Sequence, residues 1–147
     1  MATSTLVQRL EAGETGVSNR SQTETFLAGG TISAGDFVSL DRSKTGADKA
    51  LYVVVQDTSG GAVALGVPTV GVALASADAE EKVQVCIGGY CAKANVATGT
   101  AAGAALALDT TTSGRAVAAD AANVNIAGVC LTLAASNSAE VMVIKQF

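Results

Sequence analysis

From Phe26 onward, apolar and polar positions alternate in short runs. Asp36–Leu40 sets Val38 and Leu40 on one face, and Leu51–Gln56 does the same with Leu51, Val53 and Val55. Val70–Leu74 aligns Val70, Val72 and Leu74, and Lys82–Ile87 aligns Val83, Val85 and Ile87. Successive side chains of an extended strand point to opposite faces, so period two in short runs predicts half-buried antiparallel strands. Gly, Asp, Ser and Thr separate the runs as turn residues do. The single proline, Pro68, falls between two of them, where a missing N–H removes no ladder bond.

The pattern occurs twice. SAGDFVSLDRSKTG (33–46) matches AAGAALALDTTTSG (101–114) without a gap, setting Gly35 on Gly103, Asp41 on Asp109 and Gly46 on Gly114, 68 positions apart. VGVALASADAEEKVQV (70–85) then resembles AGVCLTLAASNSAEVMV (127–143), with Gly71 on Gly128 at a spacing of 57 and Val83 and Val85 on Val141 and Val143 at 58. The first copy therefore holds 11 extra residues, placed by this reading within Leu51–Gly61. Ala75–Lys82 alone passes for a helix, but its counterpart Leu133–Glu140 contains Ser136-Asn137-Ser138, a poor helix former, so both read as loops. The fold class that follows is all-β: a small β-barrel or sandwich built from two related strand-turn half-units, about 31–90 and 98–147, within a β domain 26–147.

Residues 1–25 lack this pattern. Thr5 and Gln8 have capping-box spacing before Leu10, but so short a helix is marginal in water. The segment reads as an extended N-terminal arm that orders against a partner. Apolar residues make up 49% of the chain but aromatics only 3%, so the core is rich in Ala and Val and thin per residue. Such a core draws stability from neighbouring subunits.

Composition also excludes chemistry. With no His, the usual general base, the Ser–His and Cys–His pairs and His-ligated metal sites are all lost. Nine scattered Lys and Arg against a net charge of −4 argue against nucleic acid. The uncharged run 58–77 is punctuated by Gly60, Gly61, Gly66, Pro68 and Gly71, so it reads as strands and turns rather than a membrane span. No basic-then-apolar leader is visible at the N-terminus, which points to synthesis in a cytoplasm. Cys86 and Cys91 flank Ile-Gly-Gly-Tyr; with only Cys130 to join them they read as structural free thiols, ahead of a disulfide or a metal clip. Asp41 and Asp109 are twinned as in aspartic proteases, but Asp41-Arg42-Ser43 and Asp109-Thr110-Thr111 lack the Gly of that motif, and turn-starting carboxylates fit better. Ser43 and Lys44 are adjacent and point apart, and Asp78, Glu80 and Glu81 read as a solvated acidic loop. No cofactor motif is present, and the chain reads as a non-enzyme.

Ala34-Gly35-Asp36-Phe37-Val38, then Val70-Gly71-Val72-Ala73-Leu74, then Val83 to Gly89, and the later Thr98–Gly114 block ending Leu108-Asp109-Thr110-Thr111-Thr112-Ser113-Gly114 carry a likeness. Over roughly 30 to 147 the chain resembles the capsid cement, or head decoration, proteins of tailed bacteriophages. The resemblance implies a virion protein on the outer surface of the head, bridging major capsid protein subunits, as a homo-oligomer with a trimer favoured over a dimer. Leu6, Val7 and Leu10 of the arm, and Phe26 and Leu27 at its root, are the candidate interface residues. A fibre or carbohydrate-binding module is the alternative, poorly served by two Tyr, three Phe and no Trp.

Overall fold

The computed structural model describes residues 21–55, 69–120 and 126–145. Among them lie the strands β1 (Gln22–Ala28), β2 (Phe37–Leu40), β3 (Tyr52–Val55), β4 (Thr69–Ala73), β5 (Lys82–Asn95), β6 (Ala105–Leu108), β7 (Ala116–Ala118), β8 (Gly128–Cys130) and β9 (Ser138–Val143). The described residues hold no α-helix, only a 3₁₀ turn at Gly46–Ala50. The all-β class is as expected and, of the barrel or sandwich read from the sequence, the barrel is present. The two half-units do not combine in one barrel, since each closes a ring of its own. β1 runs parallel to β3 and antiparallel to β5, so the order β1-β3-β2-β4-β5 returns to β1 and closes a five-stranded barrel.

The remaining strands repeat that order. β5 pairs with β9, β9 with β8, β8 with β6 and β6 with β7. A parallel bridge between Val96 and Ala116 completes this second ring, as Ala28 beside Val53 completes the first. Even the flanking bonds correspond: Gly29 N–H to the Val53 carbonyl and Ala97 N–H to the Ala116 carbonyl are both 2.8 Å. Strand β5 serves both rings, pairing with β1 and β4 through Lys82–Gly88 and with β9 through Gly89–Asn95. Each unit thus takes in a strand ahead of the repeated sequence blocks; β1 begins at Gln22, within the segment read as an arm, and residues 1–20 lie outside the described residues.

Three details differ from the sequence reading. Val70, Val72 and Leu74 do not share a face, because β4 bulges at Val70 against β2, which puts Val70 in the first core and Val72 in the second and leaves Leu74 exposed. The ladders set Ala73 opposite Val85 and Cys130 opposite Val141, so Val85 corresponds to Val141 rather than Val143. A slip of two residues keeps every side chain on its own face, so alternation alone does not reveal it. The extra residues of the first copy are also divided. Val53 and Ala116 stand 63 apart while Gly46 and Gly114 stand 68 apart, so five of the extra residues lie between Gly46 and Val53, four of them, Ala47 to Ala50, in the 3₁₀ turn. Leu51 ends that turn, 50% exposed, instead of sharing a buried face with Val53.

Two cores result. Phe26, Ala28, Ile32, Val38, Val53, Val70, Val83 and Val85 fill the first barrel. The second is lined by Ala94, Val96, Leu106, Leu108, Ala116, Val141 and Val143, and joined from outside by Phe37, Val72 and Cys86. That explains why β2 is buried on both faces: Val38 points into its own barrel and Phe37 into the neighbour. Burying a Phe side chain is worth roughly 1.5–3 kcal/mol. Gly71 and Gly128 sit where strands approach closely; a Cβ there would lie 2.0 Å from the Cys86 carbonyl oxygen and 2.5 Å from that of Met142. Of the uncharged run 58–77, Thr69–Ala73 form β4, and no helix among the described residues is long and apolar enough to cross a membrane.

Candidate partner-binding surfaces

The twinned aspartates are built alike. Asp41 Oδ1 accepts from Ser43 N–H (2.9 Å) and Ser43 Oγ–H (2.7 Å); Asp109 Oδ1 accepts from Thr111 N–H (2.8 Å) and Thr111 Oγ1–H (2.7 Å). Each carboxylate folds the chain back on itself, the local bond that makes Asp a turn former. Each turn ends on a glycine with positive φ, Gly46 at 59° and Gly114 at 69°. Asp109 has one partner that Asp41 lacks. Arg115 Nε (2.6 Å) and Nη2 (2.5 Å) converge on its second oxygen. Burial pushes the Asp109 carboxyl up, but the bonds from Thr111 and Arg115 outweigh it and hold the group below the usual carboxylate range. Asp41 spends Oδ1, and Asp109 both oxygens, on bonds within or beside their own turns, which suits a structural role.

Cys86, Cys91 and Cys130 are free thiols buried in the second core. Cys86 and Cys91 face each other because β5 bends between them at Gly89, whose φ is 87°. The Cys91 thiol hydrogen-bonds to Cys86 and draws the Cys86 thiol down against the effect of burial. The same contact, with burial, pushes Cys91 up. No group of three or more His, Cys, Asp or Glu among the described residues is placed to hold a metal ion.

The acidic loop is tied to β3. Tyr52 O–H donates to Glu80 Oε2 (2.5 Å), Lys44 Nζ stands 3.5 Å from Glu80 Oε1, and the same ammonium lies 4.0 Å from the Tyr52 ring centre. The Tyr52 hydrogen bond is the main cause that lowers the Glu80 carboxyl and raises the Tyr52 phenol. Glu80 itself holds a left-handed φ of 69°.

Of the residues singled out for partner binding, Leu6, Val7 and Leu10 lie outside the described residues. Phe26 is only 8% exposed and packs inside the first barrel, opposite Val83. Leu27 is half-buried, paired with Tyr52 and Lys82. The structure shows apolar surface elsewhere: Leu51, Leu74, Leu131, Leu133 and Ile144 are exposed by between 38% and 66%. One sequence signal was available for the most exposed of them. Leu133 occupies the place of Ser76 in the first copy, and a position polar in one repeat faces outward in both.

No protein-family profile matches the chain, and no curated protein matches it. Among solved structures, the chain is similar to the crystal structure of the head fiber gp8.5 N base of bacteriophage phi29, with a TM-score of 0.57. The identity is 14%, and the match covers 84% of this chain and 94% of that one. At that identity the likeness shows a shared fold over most of both chains.

Proposed function

We propose that the chain is a structural component of a phage virion, a head decoration protein that binds the outer capsid surface, bridges major capsid protein subunits and performs no catalysis. The observation that carries this reading is the fold, which over nearly its whole length resembles the base of a phage head fibre. The order of sequence blocks, independently, resembles head decoration proteins. The residues that looked most like chemistry support it too: Asp41 and Asp109 each hold their own turn, and the cysteines are packed in a core. In this reading the chain acts as a homo-oligomer, and the apolar residues of the arm, Leu6, Val7 and Leu10, lie against capsid.

The test is co-sedimentation of the purified chain with expanded heads and with immature shells. Saturable binding to expanded heads is expected, and its absence from both would overturn the reading. A second reading, that the chain is the base of a fibre that reaches a host surface, is favoured by the neighbour being a fibre base. It predicts binding to host envelopes by the same preparation, which the decoration reading does not.

A further inference from the structure

We propose that the outer face of β6, β8 and β9 is the docking surface for a second copy of this chain, which seats its own first barrel there, head to tail. The molecule already contains one such contact. Phe37, Val72 and Cys86 are ladder partners in one row across β2, β4 and β5, and all three are fully buried against the second barrel. Their counterparts in the second unit, Ala105, Val129 and Met142, form the same row across β6, β8 and β9. There Ala105 is exposed and Val129 and Met142 are half-buried. A row that one unit covers with a barrel is left uncovered in the other.

The opposing surface is duplicated as well. The second barrel receives the first through Gly114, whose carbonyl accepts Phe37 N–H (2.9 Å), and through Asn95, whose N–H donates to the Gly35 carbonyl (2.8 Å) and whose Nδ2 reaches Asp36 Oδ1 (3.3 Å). In the first barrel the corresponding residues are Gly46 and Leu27, exposed and half-buried. Here the 3₁₀ turn changes the surface. Leu27 N–H is taken by the Leu51 carbonyl (2.8 Å), and the Leu51 side chain stands 50% exposed beside it. The large side chain has therefore changed sides. Within the chain, Phe37 projects from the row; between chains, the row is flat at Ala105 and Leu51 projects toward it. Each contact keeps one knob against one flat apolar surface, and a contact between two different patches closes into a ring when its rotation permits.

This inference rests on the reading of the chain as a homo-oligomer, and it is tested on the chain alone. Analytical ultracentrifugation of the wild type should give a multiple of 14.4 kDa. Met142→Lys on the row and Leu51→Lys on the opposing patch should each weaken association by about a hundredfold or more, as loss of a central apolar contact does. Leu74→Lys, exposed but on neither surface, should leave the mass unchanged. An equimolar mixture of the two lysine variants retains one intact contact and should yield a two-chain species that grows no further. Circular dichroism establishes that each variant is folded, with Met142→Gln and Leu51→Ser standing in for one that is not. A monomeric wild type at millimolar concentration, assembly untouched by either variant, or a mixture that stays monomeric would each overturn the proposal. A monomer that still sediments with heads would do so while leaving the decoration reading in place.

Discussion

At the scale of single residues, the two copies serve as controls for each other. Asp109 and Asp41 share a turn, but only Asp109 is gripped by Arg115. A carboxyl held below its unfolded value contributes stability that is complete above roughly pH 4 and is lost as pH falls through the lower folded value. Asp109→Asn should therefore lower the melting temperature at neutral pH and flatten its fall on acidification. The measurement is a thermal melt between about pH 2 and 7. An acid limb as steep as the wild type's would show that Asp109 does not set it. Gly46 and Gly114 offer the second comparison. Both have positive φ, where Ala costs on the order of 1–2 kcal/mol. At Gly46 a Cβ meets open space, whereas at Gly114 it would lie 2.8 Å from Val55 and 3.0 Å from Asp36. Gly114→Ala should be the more damaging by denaturant titration, and equal losses would mean that the junction yields freely.

At the scale of elements, the strands of the repeated blocks were legible in the sequence, whereas β1, the second half of β5 and the strand partners were not. Alternation located the barrel-facing rows of β2, β3 and β5 because each has one face turned into a barrel, but in β4 a bulge sends Val70 and Val72 to different cores. It missed that Phe37 faces a second core, since a residue buried against a neighbouring unit and one exposed to solvent occupy the same place in the alternation. Repeat matching recovered both turns but slipped by two in the last strand, for the reason that parity survives such a slip. As for the candidate interface, Leu133 could be inferred to face outward from Ser76, while the row through Met142 needed the ladder register. Phe37 gives the prediction at this scale. Removing its ring should leave a cavity in the second core, and Phe37→Ala should cost about 3–5 kcal/mol in chemical denaturation. A loss under about 1 kcal/mol would show that the second barrel fills itself.

For the whole molecule, the placement of β1 refines how the arm can be tested. Gln22–Leu27 pair with β5, so a truncation that removes them would damage the barrel as well as the arm. Deleting residues 1–20 should leave the melting transition near its wild-type position and weaken binding to expanded heads. Unaltered head binding by the shortened chain would take the arm out of the proposed contact. The same architecture leads to a mechanical expectation. Because β5 passes from one barrel into the other without a linker, load applied to either half travels along a single backbone with no slack to take up. The chain should behave under tension as a stiff bracket rather than as two beads on a string.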